Sequence, residues 1–407
     1  MSSNKEIKIS TNKQINTYPI INSTDKIEKV ITINNKEEIM KNAFKEHIKG
    51  NIKEAKKYYE LFINKGFLDH RVFSNYGSLL KDLRQLKQAE KFTRKAVSLK
   101  KDFAEGYSNL GGILKDLSQL KEAELCHRKA LELKPNLADA NLNLASVIKD
   151  LGNLEEAEYY ALEAIKFDSS LIKAYYLLST LINSYNKKYW QRQILSDTIL
   201  HKKSDKELID IYFTRANIYH RRSEFKKSSE CLKLGNDKKL NIYNSNSQLF
   251  FKRSEKLFSE AEKIETNLQQ DKNITEDIFI VGMFRSGSTL VETILGMNSE
   301  TYNLGETNIL EESFLEWKKL NEINCNTKLY KMYADKVKSL TNSSRINTNK
   351  MLYNYQYTGI ISKQITTAKI IHCFRHPLDN ILSIYRSNFA KGNFYTSSLI
   401  DCAKVYL

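Results

Sequence analysis

The sequence predicts an α + α/β chain: an N-terminal α-solenoid of helix pairs followed by a partial, P-loop-like α/β domain. Two patterns predict it. Residues 37–172 repeat at a fixed interval, with small residues at fixed positions. Further on, at 277–295 and 369–389, an apolar run twice enters a turn with phosphate-binding residue types and then a helical pattern. A chain of 407 residues has room for two domains. Its 14 glycines and 3 prolines are few, as a helix-rich chain requires.

Registers 34 residues apart begin at Glu37, Arg71, Glu105 and Asp139. Position seven holds Ala43, Gly77, Gly111 and Ala145, and position nineteen holds Ala55, Ala89, Ala123 and Ala157. Position twenty-six holds Phe62, Ala96, Ala130 and Ala164, and Lys-Asp-Leu recurs at 81–83, 115–117 and 149–151. Small residues at these places let two helices approach closely. The pattern resembles the tetratricopeptide repeat. A degenerate register starts at Lys173, and residues 208–236 read as one more helix pair, with Ala216 and Ser228 twelve apart. The expected organisation is a polar, poorly ordered segment at 1–36, a tetratricopeptide solenoid at 37–236, a charged helical connector at 237–276 and a partial α/β domain at 277–407. Stacked helix pairs make an extended concave face. It would bind a protein or peptide, or serve as a spacer or dimerisation element.

The α/β domain opens at Asp277-Ile278-Phe279-Ile280-Val281-Gly282-Met283-Phe284-Arg285-Ser286-Gly287-Ser288-Thr289-Leu290. Strand, glycine-bracketed loop and helix N-terminus point backbone N–H groups at one spot, which suits an anion. The nucleoside triphosphate loop reads G-x-x-x-x-G-K-[ST]. Gly282 and Gly287 have its spacing, but Ser288 stands where the lysine belongs and the cation is Arg285. This speaks against a P-loop NTPase. In the second segment Ile370 to Phe374 is expected to be a buried strand. Pro377 suits a first helical turn, and Leu378, Ile381, Leu382 and Tyr385 follow at helical spacing. Arg375 and Ser383, eight residues apart, can then meet on a second phosphate.

The form G-x-x-R-S-G-S-T resembles the 5′-phosphosulfate loop of sulfotransferases, and the Arg375–Ser383 segment resembles their 3′-phosphate motif. Asn303-Leu304-Gly305-Glu306-Thr307 is similar to the Gly-Glu segment of tyrosylprotein sulfotransferases and their bacterial relatives. Asn349-Lys350-Met351-Leu352 is similar to a lysine segment of that family, with Leu352 in place of the usual proline. The resemblance implies 3′-phosphoadenosine-5′-phosphosulfate as co-substrate. It implies that Arg285, Ser286, Gly287, Ser288 and Thr289 hold the 5′-phosphate, and that Arg375 and Ser383 hold the 3′-phosphate. It implies Glu306 as general base, with Arg285 and Lys350 stabilising charge on the sulfuryl group. The family's domain runs well beyond the 3′-phosphate motif, whereas eighteen residues follow Phe389 here. The expectation is therefore a C-terminally truncated domain. The alternative reading is a non-catalytic repeat scaffold carrying a remnant of it.

Composition narrows the classes. The net charge of +16 invites a nucleic-acid reading. The lysines, however, spread along the array and are not interleaved with aromatic residues, which speaks against that partner. A bisphosphorylated adenosine cofactor or an acidic peptide is a sufficient anionic partner. Five scattered cysteines and seven histidines form no metal-ligand pattern, so no metal is expected and the thiols are expected reduced. No apolar stretch approaches ~18 residues, which predicts no membrane span and a cytoplasmic chain. Eukaryotic tyrosylprotein sulfotransferases carry a Golgi membrane anchor, which this reading does not find.

Overall fold

The computed structural model describes residues 35–181, 189–266, 276–322, 328–341, 345–365, 367–389 and 392–407. Nearly all of the N-terminal segment expected to be poorly ordered lies outside these residues, as does Cys325. The chain divides into two compact units, Met1–His201 and Lys202–Leu407.

The first unit is a run of antiparallel helix pairs: α1 (Asn35–Ile48) with α2 (Ile52–Asn64), α3 (His70–Asp82) with α4 (Leu86–Leu99), α5 (Ala104–Asp116) with α6 (Leu120–Leu133), and α7 (Ala138–Asp150) with α8 (Leu154–Phe167). Then come α9 (Ile172–Thr180) and α10 (Tyr189–Leu195). The small positions lie where the helices meet. Ala55, Ala89, Ala123 and Ala157 are fully buried, as are Ala96, Ala130 and Ala164. A Cβ on Gly77 would sit 2.0 Å from Thr93 Oγ1, and one on Gly111 would sit 2.6 Å from His127 Nε2. The same turn closes each pair. Gly50, Arg84, Ser118 and Gly152 are all left-handed, with φ of 76°, 62°, 62° and 94°. Arg84 N–H donates to Lys81 O at 2.9 Å and Gln85 N–H to Leu80 O at 2.9 Å. The other three turns repeat this pattern, a Schellman closure of the first helix of each pair. Arg84 and Ser118 hid this position in the sequence, because neither is glycine.

The second unit begins with α11 (Asp205–Arg221) and α12 (Phe225–Ile242). The sequence reading grouped most of this pair with the solenoid, and it keeps the repeat's devices. Ser223 is left-handed with φ 59°, and Ser228 Oγ donates to Ala216 O at 2.9 Å. After α13 (Ser247–Lys263) come β1 (Glu276–Gly282), α14 (Ser288–Leu295), β2 (Thr301–Asn303), α15 (Ile309–Glu322), α16 (Leu329–Lys338) and β3 (Ile346–Asn349). A 3₁₀ turn at Leu352–Tyr357, α17 (Thr358–Gln364), β4 (Lys369–Cys373), α18 (Pro377–Tyr385) and α19 (Leu399–Tyr406) complete the unit. The strands form one parallel sheet in the order β2-β3-β1-β4. Its core gathers Phe279, Val281, Leu310, Phe314, Tyr333 and Ile360. Leu257 and Ala261 of α13 join that core, so the expected connector is partly a core element.

One local expectation is corrected, and one apolar helix faces outward. The Ile370–Phe374 segment is not a buried strand: among the described residues β4 pairs with β1 on one side only and lies at the sheet edge, and Phe374 is 79% exposed. Helix α14 turns Ser288 and Glu292 inward, while Leu290 and Ile294 are exposed. In both cases the apolar pattern gave the element type, but the covering neighbour decides burial.

Candidate functional site

The central strand β1 ends at Gly282, whose φ of 143° only glycine adopts easily. A Cβ there would lie 2.2 Å from Cys373 O on β4. Arg285, at φ 65°, and Gly287, at φ 95°, then curl the chain into the N-terminus of α14. Asn380 of α18, fully buried, donates its Nδ2 to Phe284 O at 2.9 Å. This bond ties the first loop to the helix of the second motif. Ser286 Oγ is buried and has no hydrogen-bond partner among the described residues.

A cavity of about 420 Å³ opens at this turn. Arg285, Ser286, Gly287, Ser288, Thr289, Glu306 and Arg375 line it, together with Phe284, Leu352 and Phe389. Two predicted residues stand one contact away. Ser383 Oγ accepts from Arg285 Nε at 3.2 Å. Lys350 Nζ donates to Glu306 Oε1 at 2.9 Å and to Thr289 Oγ1 at 3.3 Å. The strand ends explain this meeting. Leu304 N–H donates to Thr348 O at 2.8 Å and Lys350 N–H to Gly305 O at 2.9 Å, so the β2 and β3 exits run together and carry Glu306 to Lys350.

The sequence reading missed Glu292. This buried carboxylate accepts from Gly305 N–H at 3.1 Å and from Thr348 Oγ1 at 3.3 Å, and lies 3.9 Å from Lys350 Nζ. Burial pushes its pKa up, and the Lys350 charge opposes that. It holds the turn that carries Glu306. A charged residue within the apolar run of α14 was the available signal.

Residues 277–406 match the sulfotransferase family, and residues 70–103 and 104–137 each match the tetratricopeptide repeat. The chain carries tetratricopeptide repeats and a sulfotransferase-family domain. An uncharacterized protein of Aquifex aeolicus (strain VF5) is 33% identical over 131 residues, covering 28% of this chain. The chain spans about 17% of the length of that curated relative. Among solved structures, a MamA protein is 18% identical, covering 48% of this chain and 97% of its own, with a TM-score of 0.34. PilF of Pseudomonas aeruginosa is 14% identical, covering 51% and 91%, with a TM-score of 0.41. YrrB, described as a TPR protein with an unusual peptide-binding site, is 21% identical, covering 44% and 91%, with a TM-score of 0.33.

The α11–α12 pair braces one wall of the cavity in the sulfotransferase-family domain. Asn236 Nδ2 donates to Tyr385 O at 3.1 Å. Lys239 Nζ donates to Phe389 O at 2.5 Å and to Asn388 Oδ1 at 3.3 Å. Asn388 Nδ2 donates in turn to Asp210 Oδ1 at 2.7 Å. Burial lowers the pKa of Lys239 to about 8, with Asp210 opposing. These contacts fix the segment between α18 and Phe389, whose ring packs on Phe284 with centroids 5.0 Å apart. No helix among the described residues is long and apolar enough to cross a membrane.

Proposed function

We propose that this protein is a sulfotransferase that moves a sulfuryl group from 3′-phosphoadenosine-5′-phosphosulfate to an acceptor hydroxyl, and that its repeat array binds a protein or peptide. The observation that carries the reading is the convergence of both phosphate motifs and Glu306 on one cavity. The site fits the donor's phosphates. Ser286 Oγ is a buried hydroxyl without a partner among the described residues, and the Gly287 turn sets the N-terminus of α14 beside the cavity that Arg285 and Arg375 also line.

In this reading Ser286, Gly287, Ser288 and Thr289 bind the 5′-phosphate, and Arg375 and Ser383 bind the 3′-phosphate. When bound, the donor supplies the sulfuryl group: the acceptor oxygen bonds to sulfur, the bond from sulfur to the 5′-phosphate oxygen breaks, and 3′,5′-phosphoadenosine leaves. Glu306 takes the acceptor's proton. Lys350 holds Glu306 in place and, with Arg285, provides positive charge where negative charge gathers. Positioning and fixed charge carry most of such a transfer. The free, buried thiols of Cys126, Cys231, Cys373 and Cys402 support a cytoplasmic setting for this chemistry.

The test is a thermal-shift titration with 3′,5′-phosphoadenosine and with ATP, followed by transfer of labelled sulfate. The expected result is a clear rise in melting temperature with 3′,5′-phosphoadenosine and a much smaller one with ATP. Equal stabilisation by the two would overturn the 3′-phosphate assignment.

A further inference from the structure

A second chamber, of about 290 Å³, opens beside the first. The two share Phe284, Glu306 and Leu352 as a common wall. Glu306 therefore faces both, so a group held in the second chamber presents its hydroxyl to the proposed base. The far side is built by elements outside the phosphate motifs. Arg253 of α13 pairs with Glu311 of α15 at 2.8 Å and donates to Tyr357 Oη at 3.2 Å.

The chemistry of this wall selects among acceptors. Among the described residues lining it, Arg253 is the single cation and is already matched by Glu311, while Glu306 adds a second carboxylate. Glu306 is itself paired with Lys350, so an acidic peptide would find no unmatched cation here. The remaining polar side chains are neutral: the amides of Asn308, Asn354 and Asn393, and the hydroxyls of Tyr357 and Tyr353, the latter bonding to Asn393 Oδ1. Phe284 and Tyr353 meet edge-on at 5.4 Å and offer an aromatic surface. Aromatic surface flanked by neutral amides and one charge-matched Arg–Glu pair suits a ring with an apolar face and several hydroxyls at its rim.

We infer that the second chamber is the acceptor site and that it takes a neutral sugar residue, with Arg253 and Glu311 as its specificity-determining pair. This rests on the sulfotransferase reading above. The experiment loads the protein with 3′,5′-phosphoadenosine and titrates in neutral oligosaccharides (cellobiose, maltotriose, mannobiose, chitobiose) and, separately, an acidic tyrosine-containing peptide. It is repeated with Arg253→Gln and Glu311→Gln. The expected result is saturable binding of at least one oligosaccharide and little of the peptide. Each variant should weaken the sugar at least tenfold and leave 3′,5′-phosphoadenosine affinity within about twofold. Peptide preference, an inert oligosaccharide panel, or variants that bind sugar normally would overturn the inference while phosphoadenosine binding stands. Failure to bind phosphoadenosine at all would overturn the sulfotransferase reading and this inference with it.

Discussion

Arg285 Nε donates to Ser383 Oγ at 3.2 Å, joining two segments 98 positions apart. One belongs to the loop after β1 and the other to α18, so a single hydrogen bond links the proposed 5′- and 3′-phosphate groups of residues. The Asn380–Phe284 bond runs between the same two elements. The two motifs are therefore built as one unit.

This coupling makes Arg375→Ala informative. Arg375 lines the cavity, and among the described residues its side chain makes no hydrogen bond to the loop. Removing it should weaken 3′,5′-phosphoadenosine by ~2 kcal/mol or more, because a phosphate loses a charge-assisted partner. Calorimetric titration measures this directly. Unchanged affinity would remove Arg375 from the site.

Glu306 should matter for chemistry and little for donor affinity. Glu306→Gln should keep 3′,5′-phosphoadenosine affinity within a few-fold and lower labelled-sulfate transfer by about 10²-fold. Undiminished transfer would remove it as the base. Glu292→Gln tests a different role: it should displace the Gly305–Glu306 turn and cost both transfer and melting temperature.

Lys239 is remote from the proposed chemistry yet holds Phe389 at the cavity wall. Lys239→Met should destabilise the domain by ~1–3 kcal/mol, because the Phe389 carbonyl and Asn388 lose their donor. It should also loosen 3′,5′-phosphoadenosine binding. Hydrogen exchange across residues 385–389 would report the freed segment. Exchange there as slow as in the parent protein would contradict the brace.

The repeat array should lose stability as pH falls below neutral. Burial lowers the pKa of His127 to about 3, with Lys81 and Lys115 adding to the effect, and lowers that of His47 to about 4. Both values lie below the ordinary 6.5, so between them and 6.5 the unfolded chain binds more protons. The penalty is absent above about 6.5 and grows as pH drops. At pH 5 it is about 2 kcal/mol for each histidine. His127→Gln should flatten the fall in melting temperature between pH 7 and 5. Equal slopes in parent and variant would refute this assignment.

The sequence by itself determined the period of the array, the small residues at its helix contacts and the order of the two proposed phosphate motifs. Each is a local property. A 34-residue spacing, a glycine that must adopt φ 143° and a proline at a helix start are all written within a short stretch of chain. Only the tertiary structure decided which surfaces are covered and which distant residues meet. Ile370 reads as part of a buried strand and is exposed, because burial depends on a neighbour from elsewhere in the chain. Arg84 and Ser118 take left-handed turns without glycine, because two hydrogen bonds and the packing of a helix pair offset the strain. Glu292, Lys239 and Arg253 carry no motif. Their importance comes from what the parallel sheet and α11–α13 bring beside them, and a linear pattern cannot encode that adjacency.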